Sequence, residues 1–163
     1  MTQMKEPLLR VDNLTMMYGD RVGCKDVSFE LRSGEVLGIV GESGSGKSTL
    51  LRSISAQQEP TKGVVEYQTR IDGVRDVYQM SEAQRRLLMR TDWAFVHQNP
   101  RDGLRMNVSA GANIGERLMA IGDRHYGNIR SNADSWLGKV EIASERLDDL
   151  PSTFSGGMQQ RLQ

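Results

Sequence analysis

Alternation of apolar and polar residues marks two strands near the start of the chain. Val27, Phe29 and Leu31 alternate with polar neighbours, and Leu9 and Val11 do so more weakly. A period of two is typical of strands that bury one face. We therefore expect two half-buried strands within about the first thirty residues.

Three compact apolar runs follow, and each suits a short strand. They cover residues 36–40, 64–67 and 93–96, and the first and last read as buried strands. Between the second and the third, residues 70–79 are polar and are predicted to form a loop. Strands interspersed with helices indicate an α/β protein.

Helical periodicity dominates the rest of the sequence. Leu50, Leu51 and Ile54 predict one buried helix face, and Ser81 with Gln84 matches a capping box at a helix start. Further on, two amphipathic helices are expected, separated by residues 122–127. Their apolar positions are Ile114, Leu118 and Ile121 for the first, and Ile129, Ala133, Trp136, Leu137 and Val140 for the second. We expect a core over residues 1–100, a helical subdomain over 101–154, and the start of a further helix over 155–163.

Charge and composition narrow the function classes. Lys plus Arg and Asp plus Glu both number 21, so the formal net charge is zero and no overall field attracts nucleic acid or an anionic membrane. Cys24 is the only cysteine, which excludes an internal disulfide. No apolar run approaches the ~18 residues of a spanning helix. The sequence therefore predicts a cytoplasmic protein with no nucleic-acid partner and no direct membrane insertion.

One segment carries a specific chemical signal. The eight residues from Gly41 to Ser48 read GESGSGKS and fit G-x-x-x-x-G-K-[ST], the phosphate-binding P-loop. Gly44 and Gly46, with Gly41, let the backbone N–H groups turn inward around a phosphate chain. Lys47 would supply positive charge to the β- and γ-phosphates, and the Ser48 hydroxyl would bind Mg²⁺.

Three other features do not identify a function when each is considered alone. Tyr18 lies where a strand gives way to a loop, and it fits either a packed edge tyrosine or a platform on which a base stacks. Gln98 follows the apolar run 93–96. Ser155, Gly156 and Gly157 precede a helix start, as an ordinary cap or as a second backbone cradle for an anion.

Taken in this order and at these distances, the features resemble the ATP-binding subunit of the ABC family. The resemblance implies a P-loop NTPase fold of the ABC type, in which the N-terminal part has a mixed sheet core with an N-terminal antiparallel sheet and an α-helical subdomain. It also implies ATP and Mg²⁺ as cofactors and a head-to-tail homodimer. In such a dimer Tyr18 stacks on adenine, and the Ser155 segment caps the γ-phosphate bound to the opposite subunit.

The resemblance assigns roles to individual residues. Lys47 and Gln98 would be catalytic, and Ser48 and Gln98 would contact the metal. The implied nucleotide-binding residues are Tyr18, Gly41, Ser43, Gly44, Gly46, Lys47, Ser48, Thr49, Ser155, Gly156 and Gly157. One departure is Met158, which stands where the family usually has glutamine.

Within the family, the chain resembles the accessory ATPases of the phosphonate carbon–phosphorus lyase. Residues 34–47, 96–105 and 108–120 carry that likeness. It implies a soluble lyase core complex as partner, contacted through the helical subdomain. Two alternatives stay open: the ATPase subunit of an oligopeptide or nickel importer, and a nucleotide-binding module without hydrolysis.

The resemblance is incomplete at the catalytic centre. No run of four apolar residues is followed by Asp or Glu, so neither the Walker B aspartate nor the catalytic glutamate is found. His97 and His125 lie too early in the sequence to be the histidine that senses the γ-phosphate. We expect the sequence to be either an N-terminal fragment or a truncated gene product, which binds ATP but does not hydrolyse it efficiently alone.

Overall fold

The computed structural model describes residues 6–163, which form two compact units. The first unit ends at Asp92 and the second covers Trp93–Gln163. All strands among the described residues lie in the first unit, and the second is helical. The three-part division predicted from the sequence is finer than this and stays a prediction.

An antiparallel sheet forms the first unit's framework, and its strand order is β2-β1-β3-β4. The strands are β1 (Leu9–Tyr18), β2 (Arg21–Leu31), β3 (Lys62–Thr69) and β4 (Gly73–Asp76). The two alternating strands and the strand at 64–67 are confirmed. Val11, Leu14 and Val65 are completely or almost completely buried, because they point to the same packed face of the sheet.

Strand β4 lies in a stretch that was predicted to be a loop, so that prediction is wrong. β4 has four residues, and only Val74 is a large apolar one. It pairs with β3 alone, from Glu66 opposite Asp76 to Thr69 opposite Gly73. Neither face of this short edge strand is buried, so it has no hydrophobic alternation and a hydrophobicity pattern cannot reveal it.

Two predicted strands are absent, and the prediction of buried strands at 36–40 and 93–96 is wrong. Neither segment is assigned to a strand. Val36 and Val40 are 97% and 91% exposed, and Val96 is 60% exposed. A buried strand needs hydrogen-bonded neighbours on its edges, and within residues 6–163 no strand pairs with either segment.

Helix α1 (Lys47–Ile54) packs on β1 and β2, and its buried face differs from the predicted one. Leu50 and Ser53 are buried, whereas Leu51 is 41% exposed. The helix therefore turns its i and i+3 positions towards the sheet. Helix α2 (Glu82–Thr91) begins with the predicted capping box, in which the Ser81 hydroxyl accepts from the Gln84 amide.

The second unit contains three helices: α3 (Ala110–Ala120), α4 (Tyr126–Lys139) and α5 (Gly156–Leu162). Short 3-10 turns lie at Pro100–Asp102, Ser144–Arg146 and Pro151–Thr153. The helical periodicity predicted α3 and α4, and the paired glycines predicted the start of α5. The core of the unit consists of Leu104, Ala110, Ala133, Leu137, Ile142, Leu147, Phe154 and Leu162.

Within residues 6–163, no helix is both long enough and apolar enough to cross a bilayer. The longest helix, α4, has 14 residues.

Candidate nucleotide-binding site

The loop before α1 adopts backbone conformations that only glycine takes without strain. Gly41, Gly44 and Gly46 have φ values of 153°, 82° and 93°. A Cβ on Gly46 would also lie 2.0 Å from the carbonyl oxygen of Gly23 on β2. The loop therefore needs glycine at Gly46 both for its left-handed turn and for its close approach to the strand.

Lys47 folds its side chain back over this loop. Its ammonium donates to the carbonyl oxygens of Gly41 at 2.8 Å and Glu42 at 2.5 Å, and lies 3.4 Å from the Ser45 hydroxyl. All three acceptors are neutral. No ion pair described in residues 6–163 involves Lys47, so its charge is not compensated by a carboxylate and can act on an anion held by the loop.

A cavity of about 460 Å³ opens beside the loop, within the range of small-molecule sites. Three of its lining side chains are cationic, Arg21, Lys47 and Arg52, and none is acidic. The complete lining is Tyr18, Arg21, Val22, Gly23, Gly44, Gly46, Lys47, Ser48, Thr49 and Arg52. The cavity therefore offers an aromatic ring at β1 and positive charge at α1, a combination that suits an aromatic anion.

Tyr18 stands at the end of β1 with 44% of its surface exposed. Its hydroxyl donates to the Gln58 side-chain oxygen at 2.9 Å. A Cβ on Gly23 would lie 2.9 Å from Tyr18 Cε2 and 2.9 Å from Thr49 Cγ2. The missing side chain of Gly23 thus lets the aromatic ring and the first turn of α1 approach the same point of β2.

The structure brings only some of the predicted residues to this cavity. Ser48 and Thr49 line it from the first turn of α1. Gly41 and Ser43 are not among the lining residues, although the Gly41 carbonyl binds Lys47. Sequence analysis missed Arg21, Val22, Gly23 and Arg52. Only Gly23 gave a signal, because a glycine within a strand often marks a close backbone approach.

Cys24 lies next to this site but does not behave as a reactive thiol. It is buried, and burial raises the pKa of the Cys24 thiol. A thiol with a raised pKa is mostly protonated at neutral pH and is a poor nucleophile. Cys24 therefore serves the packing of β2.

The remaining predicted residues lie in the second unit. Ser155 is the N-cap of α5, and its hydroxyl accepts from the Met158 amide at 3.3 Å, while Gly156 and Gly157 form the first turn. Gln98 is exposed. The preceding residue is tied to the end of α5, because the His97 amide donates to Gln163 at 2.8 Å and the His97 carbonyl accepts from Gln163 at 3.2 Å.

Comparison with known proteins decides the family. The sequence profile of the family described as ABC transporter matches residues 24–163. This chain belongs to the ABC transporter family. The chain is 62% identical over 160 residues to the phosphonates utilization ATP-binding protein PhnK of Escherichia coli K12. That match covers 98% of this chain and 62% of PhnK.

Other ABC proteins are similar at lower identity. The di/tripeptide transport ATP-binding protein DppF of Pseudomonas aeruginosa is 37% identical, over 83% of this chain and 40% of its own length. Among solved structures, the dimeric ATP-binding cassette MJ0796 bound to ADP and Pi superposes with a TM-score of 0.82 at 28% identity, over 94% of this chain and 66% of that one.

These likenesses confirm the predicted ABC-type P-loop fold. They also show that the chain spans less than two thirds of the length of these three ABC proteins: 62% of PhnK, 40% of DppF and 66% of MJ0796.

Proposed function

We propose that this chain is an ATP-binding subunit that binds ATP with Mg²⁺ in the cavity beside α1. The observation that carries the proposal is the lining of that cavity, where the P-loop, three cationic side chains and the Tyr18 ring meet. In this arrangement the loop amides and Lys47 hold the phosphates, and Tyr18 stacks on adenine. Arg21 and Arg52 add positive charge along the same wall.

The residues present fit a magnesium nucleotide. Within residues 6–163, no cluster of three or more His, Cys, Asp or Glu side chains is placed to hold a metal ion by itself. Mg²⁺ is commonly held by phosphate oxygens with only one or two protein ligands. Ser48, at the first turn of α1, would be such a ligand. When bound, the ion would neutralise part of the phosphate charge.

The proposal is limited to binding. The roles in ATP hydrolysis that the ABC resemblance gives Lys47 and Gln98 stay predictions, and the sequence contains no run of four apolar residues followed directly by Asp or Glu. Because charge stabilisation and positioning supply the catalysis of phosphoryl transfer, binding is expected to occur without efficient turnover by this chain alone.

The biological setting we propose is cytoplasmic phosphonate breakdown with the carbon–phosphorus lyase core complex. The support is the 62% identity to PhnK, against 37% to the peptide transport protein DppF. A subunit of an oligopeptide or nickel importer is the alternative. We further propose a head-to-tail homodimer in which Ser155, Gly156 and Gly157 face the γ-phosphate of the partner copy, supported by the dimeric form of MJ0796.

Isothermal titration calorimetry tests the central proposal. Lys47→Ala is expected to weaken Mg-ATP binding by about 2 to 3 kcal/mol, because it removes a charge-assisted contact to phosphate. Lys62→Ala is the matched control, since Lys62 is an exposed lysine at the start of β3 that does not line the cavity. Equal affinity of Lys47→Ala and Lys62→Ala would contradict nucleotide binding at the P-loop.

A further inference from the structure

Beyond the residues that line the cavity, we propose that Gln58 is a positioning residue for the nucleotide base. Through its hydrogen bond to Tyr18, Gln58 would hold the aromatic ring in the orientation in which an adenine can stack on it. This inference rests on the proposed nucleotide binding and names a residue outside the cavity lining.

The contact between the two residues fixes the ring without covering it. The Tyr18 hydroxyl donates to the Gln58 side-chain oxygen at 2.9 Å. A phenol hydrogen bond lies close to the plane of the ring, so it does not itself occupy a face on which a base could stack. Tyr18 also passes next to Gly23, where no side chain obstructs it. The ring is thus held at its hydroxyl and lies close to the backbone of β2 at Gly23.

Gln58 is itself held by the end of the helix that carries Lys47. Ala56 has a φ of 60°, the left-handed conformation that commonly ends a helix. The amides of Gln57 and Gln58 then donate to the Arg52 carbonyl at 3.0 and 3.2 Å. The position of Gln58 is therefore set by the last turn of α1, while the first turn of the same helix supplies Ser48 and Thr49 to the cavity.

A second tyrosine, Tyr78, is hydrogen-bonded to the end of α1 and to Gln58. Tyr78 follows β4, and its hydroxyl is shared between the carbonyl oxygens of Ser53 and Gln58, the latter at 2.7 Å. Burial, outweighing the nearby Arg85 charge, raises the pKa of Tyr78, so the hydroxyl stays a donor at physiological pH. Ser53 is completely buried. The support for Gln58 thus comes from α1 and from the end of β4.

These contacts join the base end of the cavity to the phosphate end. Tyr18 belongs to β1, whereas the P-loop and Gln58 flank the two ends of α1. If Gln58 sets the position of the Tyr18 ring, removing its side chain should weaken binding of a ligand that has a base. Binding of a ligand that has only phosphates should stay unchanged. A merely structural role would affect both ligands alike.

Calorimetry with Mg-ATP and with magnesium tripolyphosphate makes that distinction on the 163-residue chain. We expect Gln58→Ala to weaken ATP binding about threefold to tenfold and to leave tripolyphosphate binding unchanged. Tyr18→Phe keeps the ring and removes the hydroxyl, so it should have the same effect. The double variant should be no weaker than either single variant, because both changes remove one interaction.

Gln57→Ala is the matched control, since none of the hydrogen bonds described in residues 6–163 uses the exposed Gln57 side chain. ATP affinity of Gln58→Ala equal to that of Gln57→Ala would overturn the inference. An equal loss for both ligands would also overturn it, in favour of a structural role. If the unaltered protein bound neither ligand, the proposed nucleotide binding would fail as well. If it bound both and Gln58→Ala changed nothing, only the inference would fail.

Discussion

At the scale of single residues, Gly23 joins the two halves of the proposed site. The Gly46 position in the P-loop approaches the Gly23 carbonyl oxygen, and both Tyr18 and Thr49 pass through the space that a side chain at Gly23 would occupy. One glycine on β2 thus sets how closely the aromatic ring and the first turn of α1 can approach the strand. A side chain at this position has to displace at least one of them.

Gly23→Ala is therefore predicted to weaken ATP binding and to lower the thermal unfolding midpoint. The new Cβ would lie 2.9 Å from both Tyr18 Cε2 and Thr49 Cγ2. Inserting a methyl group into such a contact typically costs about 1 to 3 kcal/mol. Gly38→Ala is the control, because a Cβ there meets nothing within 4 Å. Calorimetry and a thermal melt of both variants check the prediction, and indistinguishable behaviour of the two would contradict it.

Some residues of the site could be predicted from the sequence, and others could not. Lys47, Ser48 and Tyr18 could be selected from the sequence because their motif or their place at a strand end has a chemical meaning. Arg52 and Gln58 could not, because their importance depends on what lies opposite them in space. Polar residues after a helix are common, and only the structure shows that Gln58 reaches Tyr18.

At the scale of elements, α3 and α4 pack closely because glycine stands where the two helices meet. A Cβ on Gly115 of α3 would lie 2.6 Å from Ile129 Cγ2 on α4. Gly115 is buried, so the contact belongs to the interior of the helical unit. Gly138, also on α4, is exposed, and a Cβ there meets nothing within 4 Å.

These two glycines give opposite predictions for stability. Gly115→Ala should lower the unfolding midpoint, because the methyl group collides with Ile129 and overpacking costs about 1 to 3 kcal/mol. Gly138→Ala should raise stability by up to about 1 kcal/mol, because alanine has the higher helix propensity and no clash opposes it. Thermal unfolding followed by circular dichroism compares them. A midpoint for Gly115→Ala at or above that of Gly138→Ala would argue against close packing at this point.

The elements differ in how far the sequence predicted them. The spacing of Ile114 and Leu118 predicted α3, because an amphipathic helix carries its own packing face in its period. A buried strand is different, since its apolar run needs partners elsewhere in the chain. This is why residues 36–40 were predicted as a strand from their apolar character, yet Val36 and Val40 are exposed.

At the scale of the whole molecule, the helical unit is the proposed contact with the carbon–phosphorus lyase core complex. Two of its arginines are engaged within the unit: Arg117 donates to the Trp93 carbonyl at 2.7 Å, and Arg130 forms a bidentate pair with Asp148 at 2.7 and 2.6 Å. Arg130 holds the pKa of the Asp148 carboxyl below its usual value. Ile121 and Tyr126 of the same unit are exposed and add apolar surface, and the Tyr126 hydroxyl accepts from Arg130 at 3.3 Å. Such a mixed surface suits a polar contact with another protein.

Charge reversal at this surface is predicted to abolish capture of the purified lyase core complex of Escherichia coli K12. The variants are Arg117→Glu, Arg124→Glu and Arg130→Glu, tested by pull-down with the immobilised chain.

Arg86→Glu is the matched control, because Arg86 on α2 is also an exposed arginine paired with a carboxylate, that of Glu82, but lies in the other unit. Exposed ion pairs contribute little to stability, so both Arg86→Glu and Arg130→Glu should fold. Only the three variants of the helical unit, Arg117→Glu, Arg124→Glu and Arg130→Glu, should fail to capture the lyase core complex. Undiminished capture by these three variants, or binding of an oligopeptide permease in place of the lyase core, would contradict the phosphonate role and favour the importer.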